Sequence, residues 1–187
     1  SFLCPHSLPE DRLLELAAEM EGHADNVAAA ALGGCRVVVR DEEKLVQAQI
    51  PLPPGLRAVL FIPDFEMPTV KSRSILPPEV SRKDAVYNLG RVALLVSALI
   101  TDSPRYLGIA TGDRLHQPQR QLLFPAMADL FEAALSAGAL GVFLSGGGPT
   151  VLALIEGDGE GIGKAQAQPD QEGSWRPVDP APEVVNP

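Results

Sequence analysis

Cysteine and long apolar runs are scarce in this sequence. The two cysteines, Cys4 and Cys35, have no metal-ligand spacing and are too few for a disulfide scaffold. This scarcity favours a reducing compartment. One disulfide bond between the two cysteines remains an alternative. No apolar run approaches the roughly 20 residues that a membrane-spanning helix needs. We therefore expect no bilayer span.

Clusters of basic residues are also missing. The formal net charge is −9, and lysine and arginine occur only in short mixed patches. The long-range field therefore repels nucleic acid and anionic lipid, and we expect neither as a partner. An anionic ligand needs donors placed locally. The length of 187 residues is that of one domain, or of a domain with a tail, and suffices for a sizeable core.

An initiating methionine and an export leader are absent from the start of the sequence, which runs almost at once into a helix signal. We therefore expect a larger parent chain. Ser7 and Glu10 have capping-box spacing, which predicts a helix over residues 9–22. Alternating or β-branched runs predict strands over 35–40, 45–50 and 57–62.

A second capping pattern, Ser81 with Asp84, opens a long helix that we expect to be mostly buried. Further helices are predicted over 104–111 and 125–137, and strands on both sides of the glycine-rich loop at 146–148. This order of elements indicates an α+β fold. The apolar residues expected on the buried face of the long helix are Val86, Leu89, Val92, Leu95, Val96 and Ile100.

Acidic and amide residues crowd the junction between the first helix and a small-residue stretch. One carboxylate at a helix end is enough protein input for Mg²⁺, which shares its oxygen ligands with substrate phosphates. The alternative is that Asp25 or Asn26 only caps a helix that begins at Val27. For His23 alone, a structural role is the commoner case. The residues concerned are Glu19, Glu21, His23, Asp25 and Asn26.

Two arginines stand in segments that also contain Thr69 and His116. The planar guanidinium matches a carboxylate in two places, so Arg73 and Arg120 together would clamp the carboxyl group of an amino acid. Exposed arginines more often have no such specific role.

The loop SGGGPT leaves the backbone bare at Gly146, Gly147 and Gly148. Successive glycine amides can turn inward and form an anion-binding nest. A glycine-rich connection between two strands is the commoner explanation for such a loop taken alone.

Together and in this order, these segments resemble the GHMP family of small-molecule kinases and, within it, the homoserine kinases. The resemblance covers about residues 9–156. It depends on EGHADNVAAAALGG, on Thr-x-x-x-Arg followed by Leu-Pro, on His-Gln-Pro-x-Arg about 40 residues later, and on SAGALGVFLSGGGPTVLAL.

The resemblance implies transfer of the γ-phosphoryl group of ATP, with Mg²⁺, to the side-chain hydroxyl of L-homoserine. It implies that Arg73 and Arg120 hold the substrate carboxylate and that Glu19 binds magnesium, with Glu15 as a competitor. Asp25 would act as a base, or Asn26 and its neighbours would orient the hydroxyl without one. The amino-acid site would be lined by His23, Asp25, Asn26, Thr69, Arg73 and Arg120, and the ATP phosphate loop would meet Gly146, Gly147 and Gly148.

The sequence departs from the family at both ends. The motif Pro-x-x-x-Gly-Leu-Gly-Ser-Ser-Ala, which wraps the ATP phosphates, is absent, and a proline-rich tail stands where a helix and a final strand are expected. We therefore expect this chain to be inactive alone. The alternatives are a non-catalytic protein derived from such a kinase that binds an amino acid or a partner chain, a ligand-free interaction domain, or another substrate such as mevalonate.

The resemblance also implies a domain division. Residues 1–62 would be the remnant of the central part of the kinase, 63–160 the C-terminal GHMP domain with its ferredoxin-like α/β sandwich, and 161–187 an irregular tail. We expect a cytoplasmic location, or a plastid for a plant or algal parent. Expected partners are L-homoserine, ATP, and either a second copy or the missing N-terminal half.

Overall fold

The computed structural model describes residues 8–22, 24–42, 44–157, 162 and 173–178. The chain forms two compact units, one of Ser1–Leu52 with Ala181–Pro187 and the other of Pro53–Pro180. In the described part of the chain, no helix is long and apolar enough to cross a membrane.

The first unit consists of two helices and a two-stranded antiparallel sheet. Helix α1 is Glu10–Glu21 and helix α2 is Asp25–Leu32. Strand β1, Cys35–Asp41, pairs in antiparallel fashion with strand β2, Lys44–Ile50. The helix and strand types match the prediction, but α1 begins after Pro9 as its N-cap, and Ser7 lies outside the described residues.

The second unit is a four-stranded antiparallel sheet with helices between its first two strands. In chain order its elements are strand β3 (Leu56–Pro63), helices α3 (Thr69–Ser74) and α4 (Arg82–Ile100), a 3₁₀ turn (Pro104–Tyr106), helices α5 (Leu107–Ala110), α6 (Gln117–Arg120) and α7 (Met127–Ser136), and strands β4 (Gly141–Leu144), β5 (Val151–Glu156) and β6 (Gly173–Val178).

The strand order across this sheet is β4-β5-β3-β6, with each neighbouring pair antiparallel. This is the arrangement of the expected ferredoxin-like sandwich. We expected no final strand from the sequence, yet β6 pairs with β3 along its whole length, from Ala58 opposite Val178 to Pro63 opposite Gly173. An edge position tolerates the proline in β6, since one edge of such a strand needs no ladder bonds.

The core of the second unit lies between α7 and one face of the sheet. Alternate residues of β3, β4 and β5 point toward it, as period-2 patterning requires. Leu130 and Ala134 of α7 pack against this face. Buried members of the core from the sheet are Val59, Phe61, Val142, Leu144, Val151, Ala153 and Ile155.

The buried part of α4 differs from the expected one. Ser81 caps the helix as predicted, its hydroxyl accepting a hydrogen bond from the Asp84 amide. Leu89, however, is 69% exposed, whereas the buried residues of the helix are Ala98 and Leu99 near its C-terminal end. Leu99 lies on the predicted stripe, seven residues after Val92, so the apolar period indicates which face is apolar but not which turns of that face are covered. Four of the predicted core positions are exposed: Val86, Leu89, Val92 and Ile100.

Candidate functional site

Arg120 connects three segments of the second unit. It lies at the end of α6 and is only 8% exposed. Its Nε donates to the Ser72 carbonyl of α3 at 3.4 Å, and its Nη1 donates to the Gly146 carbonyl at 3.1 Å. The guanidinium therefore stands between α3 and the glycine loop, where the sequence placed one arm of the expected clamp.

The glycine loop rests directly on α3. The fully buried Ser72 hydroxyl donates a hydrogen bond of 2.8 Å to the Gly147 carbonyl. A Cβ added at Gly147 would lie 3.3 Å from the Ser72 Oγ atom. The loop can approach this closely because residue 147 has no side chain.

The loop closes on itself by two hydrogen bonds. The Gly148 amide donates to the Ser145 carbonyl at 2.9 Å, and the Ser145 amide donates to the Thr150 carbonyl at 2.8 Å. Gly146 and Gly148 have φ angles of 54° and 80°, which glycine adopts without strain. Among the described residues, the amides of Gly146 and Gly147 have no acceptor. Two of the three predicted amides are therefore available to an anion.

Thr69 and Arg73 lie four residues apart on α3, so their side chains share one face of the helix. Both are exposed. Within the described part of the chain, the Arg73 guanidinium makes no hydrogen bond or ion pair. Thr69 also lines a cavity of about 340 Å³ between the end of β3 and the loop at Pro149.

Arg73 and Arg120 influence each other electrostatically. Burial lowers the pKa of the Arg120 guanidinium, and the positive charge of Arg73 lowers it further, while Asp113 opposes both effects. Two like charges that interact in this way favour an anion near both of them. The Nη2 atom of Arg120 donates to no other described residue, so its two hydrogens remain for such a ligand.

Sequence reasoning missed Asp113. Its Oδ2 accepts hydrogen bonds from the amides of His116 and Gln117 at 2.8 and 2.7 Å, where α6 begins. Its Oδ1 accepts from Asn88 of α4 at 2.6 Å. An aspartate a few residues before a short helix is an N-terminal capping signal, and it was available in the sequence DRLHQPQR, residues 113–120.

The electrostatics of Asp113 follow from these contacts. Burial alone would raise the pKa of its carboxyl, but the hydrogen bonds from Gln117, His116 and Asn88 hold that pKa below its ordinary value. Desolvation also lowers the pKa of the His116 imidazole, with Asp113 raising it and Arg120 lowering it. His116 is therefore held toward its neutral form.

The other expected site residues lie in the first unit. Glu19 is exposed on α1, while Glu15 pairs with Arg12 at 2.8 Å, which leaves Glu19 the freer carboxylate. The described residues contain no cluster of three or more metal-ligating side chains. His23 lies outside the described residues.

The capping prediction for this segment is wrong. Helix α2 begins at Asp25 rather than Val27, its N-cap is Ala24, and no side chain caps it. Asp25 and Asn26 are exposed in its first turn, where the Asp25 Oδ1 accepts from the Asn26 amide at 2.9 Å.

Comparison with known proteins places the fold among the GHMP kinases. The family model described as "GHMP kinases C terminal" matches residues 95–167. A crystal structure of homoserine kinase from Cytophaga hutchinsonii superposes with a TM-score of 0.83 at 31% identity, covering 93% of this chain and 59% of that one. The L. major mevalonate kinase in complex with R-mevalonate, at 18% identity and a TM-score of 0.59, shares the fold.

Curated relatives are more similar in sequence. Homoserine kinase from Moorella thermoacetica is 47% identical over 155 residues, which are 83% of this chain and 52% of the relative. Homoserine kinase from Synechococcus sp. is 45% identical over 148 residues, which are 79% and 48%. The chain thus spans about half the length of the curated relatives it matches.

The chain therefore has a GHMP-kinase-like fold, and residues 95–167 are similar to the C-terminal domain of GHMP kinases. The particular resemblance to homoserine kinases, predicted from the sequence, is confirmed by these relatives.

Proposed function

We propose that this chain carries the amino-acid-binding part of a homoserine kinase, an enzyme that phosphorylates the side-chain hydroxyl of L-homoserine to O-phosphohomoserine on the way to threonine. One observation carries the proposal: the exposed Arg73, which has no hydrogen bond or ion pair within the described residues, lowers the pKa of Arg120, whose Nη2 donates to no described residue. Two guanidinium groups whose charges interact and whose donors are unused in the described chain suit the carboxylate of an amino acid.

The two arginines have different tasks in this proposal. Arg120 already donates to two carbonyls, so it offers the carboxylate the hydrogens of Nη2 from a fixed position. The Arg73 guanidinium has no hydrogen bond or ion pair with any described residue, so it supplies the two-point contact. Thr69, on the same face of α3, adds a hydroxyl at the border of the site.

The described residues offer fewer groups for ATP and Mg²⁺ than for the amino acid. ATP phosphate oxygens would accept from the free amides of Gly146 and Gly147. Glu19 fits a hard cation as a single exposed carboxylate, which is the usual protein share in a magnesium–nucleotide site. When bound, Mg²⁺ neutralises the charge that develops on the phosphoryl oxygens.

His23, Asp25 and Asn26 would act on the substrate hydroxyl. Asp25 offers an oxygen acceptor for the hydroxyl proton, and Asn26 offers both a donor and an acceptor that can orient the hydroxyl. Phosphoryl transfer depends chiefly on alignment and charge neutralisation, so either role is compatible with the reaction. A cytoplasmic location, and association with a second copy or with a segment carrying a phosphate loop, complete the proposal.

A calorimetric titration tests the proposal. We expect L-homoserine to bind saturably, and its amide, which lacks the carboxylate, to bind at least about tenfold more weakly because the guanidinium pair loses its anion. R-mevalonate, which has a carboxylate but no amino group, serves as the specificity control. Equal binding of homoserine and its amide, or no binding of homoserine by a folded sample, would contradict the proposal.

A further inference from the structure

The side chain of Arg120 is held from a third direction by His116. The Arg120 Nη1 lies 2.9 Å from the His116 Nδ1, one helical turn away. Nη1 has two hydrogens, and the other one points to the Gly146 carbonyl. His116 therefore occupies the last donor of Nη1, so that Nη2 is the part of the guanidinium with no partner among the described residues.

This contact fixes the tautomer of His116. A guanidinium has no acceptor, so Nδ1 must accept and the ring proton must be on Nε2. The Nε2 atom faces the Asp113 Oδ1 at 3.6 Å, beyond a hydrogen bond but close enough for the carboxylate to attract the N–H dipole. Asp113 is itself fixed by Asn88 and by two amides at the start of α6.

From this geometry we propose that His116 and Asp113 are positioning residues that hold Arg120 ready for a carboxylate. The inference depends on the proposed function for the identity of the ligand. It adds that the neutral Nε2–H form of His116 is the competent form of the site.

Protonation of His116 would undo the arrangement. An Nδ1–H would meet the Nη1–H of Arg120, donor against donor, and would add a positive charge beside Arg120. The charged groups facing His116 are Asp113 of its own loop, Arg120 of α6 with Arg73 beyond it on α3, and Arg91 of α4, which lines the same cavity of about 180 Å³. Because desolvation holds the pKa of His116 below 6.5, the site keeps its neutral form at neutral pH and loses it in acid.

The first experiment needs no ligand. Two-bond ¹H–¹⁵N NMR spectra of histidine-labelled protein report the tautomer of each ring, and His116 is assigned as the signal missing from His116→Asn. We expect the Nε2–H tautomer and a pKa below that of free histidine, falling further in Asp113→Asn. An Nδ1–H tautomer, or a His116 charged at neutral pH, would overturn the proposal.

The second measurement follows Arg120 itself. The ¹⁵Nε heteronuclear NOE of Arg120, assigned by its loss in Arg120→Lys, should be that of a rigid side chain. His116→Ala should make it mobile, whereas His116→Asn should keep it rigid, because the Asn oxygen can stand near the position of Nδ1. Equal rigidity in all three proteins would show that His116 does not position Arg120.

Ligand binding then separates this inference from the proposed function. We expect His116→Ala to weaken L-homoserine binding about tenfold, and His116→Asn to retain binding while losing the decline toward acid pH. Unchanged affinity and pH profile in His116→Ala would overturn the positioning role. If the unmodified chain binds no homoserine, the proposed function fails, while the two ligand-free measurements still decide whether His116 positions Arg120.

Discussion

Gly148 is the residue of the loop that the surrounding structure restricts most. Its φ is 80°, and a Cβ there would collide with the Met67 Cε and lie 2.9 Å from a Leu144 methyl group. Both contacts are with buried side chains of the core. A side chain at this position would therefore displace the loop from the sheet as well as strain its backbone.

We expect Gly148→Ala to destabilise the second unit by roughly 3 kcal/mol or more, because strain and overpacking add. Gly138→Ala is the matched control, since Gly138 has a φ of 99° but open space around its Cβ. We expect Gly138→Ala to lower the free energy of unfolding by only about 1 kcal/mol. Urea unfolding measures both, and equal costs for the two variants would mean that the packing around Gly148 is not as tight as described.

Asp113 should make stability depend on pH. Its pKa is lowered in the folded chain, so its stabilising effect is present above its ordinary value of 3.8 and is lost as the pH falls through the lower, folded value. We expect Asp113→Asn to be less stable at neutral pH by about 1–3 kcal/mol, because amide donors lose a charged acceptor.

The free energy of unfolding as a function of pH checks this expectation. The gap between the unmodified chain and Asp113→Asn should narrow in acid, below the ordinary carboxyl pKa. Asp64→Asn is the control, because Asp64 is an exposed loop residue. Its free energy of unfolding should differ little from that of the unmodified chain at any pH. A gap for Asp113→Asn that stays constant down to strong acid would exclude the linkage.

Within the described chain, the apolar residues of helix α4 differ in burial along the length of the helix. Leu99 is 6% exposed, whereas Leu89 is 69% exposed on the stripe that the sequence predicted to be buried. We expect Leu99→Gln to destabilise by about 2–5 kcal/mol, because it buries an amide and loses apolar packing. Leu89→Gln should change stability by less than about 0.5 kcal/mol.

Thermal unfolding of the two variants distinguishes the two positions. A large loss of stability in Leu89→Gln would show that this face is covered in solution. The result would then favour the burial of Leu89 predicted from the sequence over the exposure found in the structure.

The contrast between α4 and its neighbours shows which features of the fold could be predicted from the sequence. Strands β1 to β5 were predicted because alternation and flanking Pro or Gly are local signals. The cap at Ser81 was likewise local. The buried part of α4 and the edge pairing of β6 depend on what lies nearby in space, which local patterns do not encode.

The candidate site divides in the same way. Thr69, Arg73, Arg120 and the glycines could be named from motifs, because their spacing is in the sequence. The contacts of Asn88 with Asp113 and of Ser72 with Gly147 could not, since the residues of each pair meet only through the fold. The residues that hold the site in place were therefore the ones missed.

The two units of the molecule differ in how many apolar residues they bury. In the described part of the first unit, the buried apolar residues are Leu14, Ala18, Ala28 and Ile50. A two-stranded sheet with so small a core is marginally stable. The second unit has a four-stranded sheet and the larger core.

Hydrogen exchange should reveal this difference. We expect the amides of β1 and β2 to exchange much faster than those of β3 and β5, because less apolar surface opposes their opening. Mass spectrometry of peptides spanning 35–50 and 56–63 measures both regions in one sample. Equal protection of the two sheets would indicate that the first unit is stabilised by contacts other than its own core.

The central claim is that α3 and α6 hold the carboxylate of homoserine through Arg73 and Arg120. Titration of L-homoserine into Arg73→Ala tests it most directly, with Lys71→Ala as the control that removes an equal charge from the same helix. We predict that Arg73→Ala loses at least about tenfold in affinity while Lys71→Ala changes it little, because Arg73, and not Lys71, lowers the pKa of Arg120. Equal losses of affinity in the two variants would mean that Arg73 contributes only its positive charge and not a specific contact with the carboxylate. That result would contradict the claim.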